Sequence, residues 1–158
     1  MKGNRDREAD ALVSALLTAS RVLVGVSARS LTDVEETVTL TQFRALVVLR
    51  GQERMRQGAL ADRLGVNASS ALRLVDRLVT AGMVTRHEVE HDRRAVDLSP
   101  TARGRELVDT VTARRRSAIA EIVAAMPPGE RRGLVGALSA FAAAADEPAV
   151  PDEVLTDW

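Results

Sequence analysis

Asn67-Ala-Ser-Ser-Ala-Leu-Arg-Leu-Val-Asp-Arg-Leu78 is the stretch whose reading decides the fold. At about 100° per residue, a helix over it gathers Ala71, Leu74, Val75 and Leu78 on one side, with Ser69, Ser70, Arg73 and Arg77 on a strip of the other. One face is built for burial and the other for contact. Asn67 supplies an N-cap, because its side-chain oxygen can accept a helical N–H. A shorter helix is expected just before it, over Gln57 to Leu64, with Leu60, Ala61 and Leu64 apolar and Gly65 free to turn at positive φ. This is helix-turn-helix spacing.

Upstream, Thr39-Leu-Thr-Gln42 has the form of a capping box, in which the threonine hydroxyl takes a helical N–H and the glutamine reaches back. The helix it opens carries Leu40, Phe43, Ala45, Leu46, Val47 and Leu49 and stops at Gly51; apolar nearly all round, it reads as a central core element. Gln52 to Arg56 reads as a short charged link. Residues 7 to 31 form a further expected helix, on which Val13, Leu16, Leu17, Ser20, Val24, Ser27 and Leu31 keep a helical interval. Its apolar stripe is wider than one neighbour requires, which fits either a core helix of a monomer or a helix shared with a second subunit. Ser30 to Val38 is a polar connection.

Downstream, Ser99-Pro100-Thr101 is expected to start a helix reaching about Met126, proline being tolerated in a first turn. Leu107, Val108, Val111, Ala118, Ile119, Ile122 and Met126 share about 120° of its arc, with Arg115 in the middle of that stripe. Pro127-Pro-Gly-Glu130 closes this helix and opens another, in which Leu134, Leu138, Phe141, Ala142 and Ala145 share a face. A buried cation needs a partner. For Arg115 the sequence offers two kinds: an acid such as Glu8, Asp10 or Glu121, or a bound effector that is an organic anion or an amphipathic aromatic.

At 158 residues, one domain spanning 1–158 is expected. The chain is formally neutral, but five of its 22 acids lie after Ala145 with no base, so residues 1–145 carry 22 bases against 17 acids, or +5. The body is mildly basic and the 146–158 tail acidic. Cysteine is absent, which excludes disulfides, thiolate-bound zinc and thiol redox sensing. The N-terminal Met-Lys-Gly-Asn-Arg-Asp-Arg-Glu lacks the apolar core of a signal peptide, and no apolar run is expected to approach the length that spans a bilayer; a cytoplasmic protein without membrane attachment follows. Phe43, Phe141 and Trp158 are the whole aromatic complement, too few for single-strand stacking platforms. Duplex DNA is the nucleic acid left.

Ala61, then Gly65, then Leu72-Arg-Leu-Val-Asp-Arg-Leu78, then Ala81-Gly-Met-Val-Thr-Arg86, then Asp92-Arg-Arg-Ala-Val96 resembles the winged helix of the multiple antibiotic resistance regulator (MarR) family. The likeness covers about residues 8 to 145. It implies a mostly α fold of about six helices with a two- to three-stranded β wing, the strands being Met83 to Val89 and Ala95 to Leu98 around Glu90-His-Asp-Arg-Arg94. It further implies a winged helix-turn-helix over 40–98, and a homodimer built from 7–38 and 101–145 that holds two reading heads on a pseudo-palindromic operator. By resemblance Ser69, Ser70 and Arg73 face base edges, Arg77 a phosphate or base, and Arg93 and Arg94 the minor groove. Asp92 and Asp76 support them by orienting neighbouring arginines. The implied activity is transcriptional repression relieved by a small molecule. The lack of cysteine disfavours a peroxide sensor. For the effector site, Arg115, Phe43 and Leu17 are the candidates.

Other classes remain open to the residues alone. A winged helix can serve as a protein-interaction module without DNA, and an α-helical scaffold can carry an enzyme. No nucleophile, base and orienting group are recognisable together, and no phosphate-cradling glycine loop is present, so no catalytic residue or cofactor is assigned. His87 and His91 sit near Glu88, Glu90 and Asp92, but that set lacks the fixed geometry and third strong ligand of a zinc site. They read as solvated wing residues, and no metal is assigned.

Overall fold

The computed structural model describes residues 2–89 and 92–145, apart from the side chains of 2–5 and 92–94. Six helices and three strands run through them: α1 (Lys2–Thr32), α2 (Leu40–Arg50), β1 (Met55–Arg56), α3 (Gln57–Leu64), α4 (Ala68–Thr80), β2 (Val84–Val89), β3 (Asp92–Pro100), α5 (Ala102–Ala125) and α6 (Pro128–Ala144). The strands form one antiparallel sheet in the order β1-β3-β2. The winged helix expected from the sequence is the fold observed.

A compact unit runs to Ile119. Its core is made by the faces anticipated for α2, α3 and α4, with Phe43, Leu46, Leu49, Leu60, Val75 and Leu78 packed against Met83, Val84 and Leu98 of the sheet region. The first turns of α5 close it with Leu107, Val108 and Val111. The capping box at Thr39 is complete: its hydroxyl accepts from Gln42 N at 3.2 Å, and Gln42 Oε1 accepts from Thr39 N at 2.8 Å. Although α2 is central, Leu40 and Val47 stay exposed, so its burial is one-sided.

Two local expectations are corrected. Gln52 to Arg56 is more than a link, because its last two residues form β1, Met55 pairing with Leu98 and Arg56 with Asp97. Pro100 is not in a helical first turn but ends β3, opposite Val84. Proline's fixed φ suits a strand terminus as well as a helix start. Thr101 is the residue that caps α5: its hydroxyl accepts from Gly104 N at 3.1 Å and donates to Gly82 O at 2.7 Å. Thr101 N also donates to Met83 O at 3.0 Å.

Gly104 explains how close this junction is. A Cβ there would stand 2.3 Å from the Met83 carbonyl oxygen, inside any permitted contact. The start of α5 is thereby seated on the turn that leaves α4. Three ion pairs add to this within the same unit: Arg50 to Asp109 at 3.3 Å, Arg103 to Glu35 at 3.2 Å and Arg114 to Asp33 at 3.6 Å. Surface pairs of this kind each contribute at most about 1 kcal/mol. The Thr37 hydroxyl, 2.6 Å away, and then Arg103 hold the Glu35 carboxyl below the ordinary glutamate range.

Only the end of α1 joins the core, through Val26, Ser30 and Leu31; Leu12, Val13, Leu17, Val22, Leu23 and Val24 are exposed. Asp6–Thr32 is long and apolar enough, by length and composition, to cross a membrane, its most apolar 18 residues having a mean hydropathy of 1.7. The expectation that no stretch reaches that length is thus corrected. Its serines and threonines interrupt an apolar run in the sequence, but in the helix Thr18, Ser20 and Ser27 each return their hydroxyl proton to a backbone carbonyl of the preceding turn.

The second compact unit begins at Ala120. In it Arg131 closes the end of α5, donating from Nε to Met126 O at 2.9 Å and from Nη2 to Ala124 O at 2.7 Å. Carbonyls left over at a helix C-terminus are natural partners for a cation. On α6, Leu134 and Ala142 are half-buried, while Val135, Leu138 and Phe141 are exposed. The acidic tail 146–158, with Trp158, lies outside the described residues.

Candidate nucleic-acid interface

Helix α4 is positioned by caps at both ends. Asn67 Oδ1 accepts from Ser70 N at 2.9 Å and from the Ser69 hydroxyl at 2.9 Å. At the other end Gly82, at φ 70°, lets Met83 N reach back to Leu78 O at 2.9 Å, closing the helix in a Schellman-type turn. Before it, Gly65 at φ 67° makes the sharp exit from α3, as expected. Ala71, Val75 and Leu78 are buried, and Ser69, Arg73 and Arg77 are exposed on the far side; Ser70 is half-buried at the margin.

The arrangement leaves two exposed guanidinium groups on successive turns of one face, beside an exposed serine. Among the described residues Arg73 Nε reaches its own helix, 3.4 Å from Ser69 O, a long contact that leaves the rest of its planar fork available. Such a fork can donate two hydrogen bonds to guanine, and serine adapts to several partners. Asp76 was expected to orient an arginine. Its partner is Arg86 of β2, at 2.5 Å, which pins α4 to the wing strand and balances the one acid of the exposed face of that helix.

The wing is a hairpin whose regular ladder runs from Val84 opposite Pro100 to Glu88 opposite Val96, then shifts, Val89 pairing with Asp92. The shift leaves residues 93–95 of β3 between the partners of Val89 and Glu88, and only residues 90 and 91 separate the paired Val89 and Asp92, fewer than the longer loop that a turn without glycine or proline would suggest. Asp92, Arg93 and Arg94 stand at the start of β3, but their side chains lie outside the described residues, as do Glu90 and His91. His87 is not simply solvated: it is half-buried, with Nε2 2.7 Å from Ser99 Oγ. Asp97, opposite it on β3, pairs with Arg56 at 2.9 Å, so β1 and β3 are joined by charge as well as by the ladder.

Of the effector candidates, Phe43 is buried in the core, Leu17 is exposed on α1, and Arg115 is half-buried. The Arg115 Nε is buried without a hydrogen-bond partner among the described residues.

Comparison with known proteins places these features in a family. The MarR family model matches residues 37–95, from the α2 cap to the wing tip. HTH-type transcriptional regulator Mb0904 of Mycobacterium bovis is 34% identical over 110 residues, which cover 70% of this chain and 77% of that protein. Transcriptional repressor MprA of Escherichia coli is 29% identical over 93 residues, covering 58% of this chain and 53% of MprA. The crystal structure of RV1404 from Mycobacterium tuberculosis shares 45% identity and a TM-score of 0.83, over 90% of this chain and 97% of that one. With its helix-turn-helix, capped recognition helix and three-stranded wing sheet, this chain belongs to the MarR family of winged helix-turn-helix transcriptional regulators.

Proposed function

We propose that the protein is a cytoplasmic homodimeric repressor that occludes a pseudo-palindromic promoter site and is released by a small organic ligand. The observation that carries the DNA reading is the segregated face of α4, where Ser69, Arg73 and Arg77 stand exposed opposite the buried Ala71, Val75 and Leu78. Ser70 takes part from the margin of that face. Arg93 and Arg94 enter the minor groove, where narrow A/T-rich stretches concentrate negative potential, and Asp92 braces them. A repressor role is also that of MprA by name.

The dimer reading rests on apolar surface that the single chain leaves open: Leu12, Val13, Leu17 and Val24 on α1, and Leu138 and Phe141 on α6. A soluble monomer does not ordinarily expose so much contiguous leucine and valine as α1 does. The same composition that would suit α1 to a bilayer suits it to a second copy of this chain. Footprinting on the DNA flanking the protein's own coding region tests the whole reading. Two protected patches with centres about 34 to 36 Å apart, or a multiple of that, are expected. Absence of sequence-selective protection, or a single patch bound by a monomer, would overturn it.

The ligand reading rests on Arg115, because a buried guanidinium nitrogen without a partner is costly. An aromatic or aliphatic carboxylate would satisfy it, and would release DNA only by binding the incompetent conformer better. A structural reading competes: an acid of the second subunit could fill the same place. Arg115→Met separates them. Loss of carboxylate-triggered DNA release, with melting temperature nearly kept, is expected for a ligand anchor. A large fall in melting temperature with unaltered release would make Arg115 part of the scaffold.

A further inference from the structure

Leu72 is 46% exposed, although the apolar side of its helix is fully supplied by Ala71, Val75 and Leu78. Its exposed companions on α4 are Ala68, Ser69, Arg73, Asp76, Arg77 and Thr80. At about 100° per residue this exposed arc spans roughly 180°, with Ser69 and Asp76 near its midline. Leu72 and Arg73 flank that midline, each by roughly 50°, on opposite sides. A helix that enters a groove along this midline presents one apolar side chain and one cationic fork to the base edges, in the half of the helix nearest its N-terminus.

In the major groove the 5-methyl of thymine is the apolar feature that a base pair displays, and it meets aliphatic side chains without any hydrogen bond. We propose that Leu72 reads a thymine methyl group and is a specificity-determining residue beside Arg73. This rests on the reading that α4 lies in the major groove, and it names a base feature that the serines and arginines cannot report. Polar contacts can choose guanine, adenine or cytosine, whereas Leu72 penalises any base that brings a bare polar edge against it.

The test uses the full chain and duplexes it selects from a random pool. Each thymine of the preferred site is replaced singly by deoxyuridine, which keeps base pairing and deletes only the methyl. At one or two positions next to the Arg73-dependent base pair, the parent is expected to lose roughly three- to five-fold in affinity, the effect of one buried methyl-sized group. Leu72→Ala should lose a similar factor or more on the unmodified duplex and lose nothing further on the uridine duplex, the signature of a direct contact. Additive losses, or uridine substitutions neutral throughout, overturn the role of Leu72. An unaltered affinity of Leu72→Ala does the same and would point to a protein contact instead. Arg73→Ala run in parallel separates the two levels: if it too binds normally, the placement of α4 in the groove has failed, and if it binds poorly, only the reading of Leu72 has.

Discussion

Replacing Arg73 by alanine is expected to weaken binding to the specific duplex by roughly 1 to 3 kcal/mol and to relax the preference at one base pair, with affinity for unrelated DNA falling much less. The size follows from geometry. Arg73 is exposed, and its hydrogen bond among the described residues is the long 3.4 Å approach of Nε to Ser69 O, so it enters a complex with most of its donors unspent. Removing it leaves guanine acceptors desolvated against an alanine. The wing should behave differently. Neutralising Arg93 and Arg94 together is expected to weaken specific and unrelated duplexes alike and to flatten the slope of log affinity against log salt, because that slope counts phosphates neutralised. Competition binding at several salt concentrations distinguishes the two patterns. An Arg73→Ala protein that remains folded and retains its sequence preference would remove α4 from the base edges.

The largest expected loss of stability comes from Gly104→Ala. The new methyl would lie 2.3 Å from the Met83 carbonyl oxygen and 3.3 Å from Leu46 Cδ2, and the first of these is backbone that cannot swing aside. Overpacking of this kind costs about 3 kcal/mol, enough to lower the melting temperature of a chain this size by roughly 5 to 10 °C. Helix propensity argues the other way, since alanine in a helix is favoured over glycine by about 1 kcal/mol. Gly58→Ala in α3, where a Cβ meets nothing within 4 Å, isolates that gain. Thermal melts monitored by circular dichroism should therefore move in opposite directions for the two variants. A stabilised Gly104→Ala protein would mean that α5 does not sit on the α4 exit turn.

The parts of this fold that were legible in the sequence are those written in a local period or a cap. Asn67, Gly65, the Thr39 to Gln42 box and the buried side of α4 stand where their spacing put them. What escaped depends on partners distant in the chain. A two-residue strand has no period, so Met55 and Arg56 become a strand only through Leu98 and Asp97. Pro100 is equally at home opening a helix or ending a strand, and the choice was made by the ladder to Val84. The exposed serine and arginines of α4 were legible but its bracing was not: Asp76 carries no sign in its own helix that Arg86, across a turn and a strand, is its partner. The exposure of Leu72 escaped because it borders the buried side of α4, and the spacing does not say how far the covering reaches round the helix.

The Asn67 cap has a further consequence, one of polarity. Ser70 N donates to Asn67 Oδ1, which identifies that atom as the oxygen, and an amide oxygen only accepts; the Ser69 hydroxyl at 2.9 Å must therefore be the donor of the pair. Its single proton is committed inward, and what Ser69 turns outward is a pair of lone electron pairs. The exocyclic amines of cytosine and adenine can use them as they stand. Guanine O6 or thymine O4 can be met only by a serine that first lets go of Asn67, at the expense of one of the two hydrogen bonds that the cap oxygen accepts.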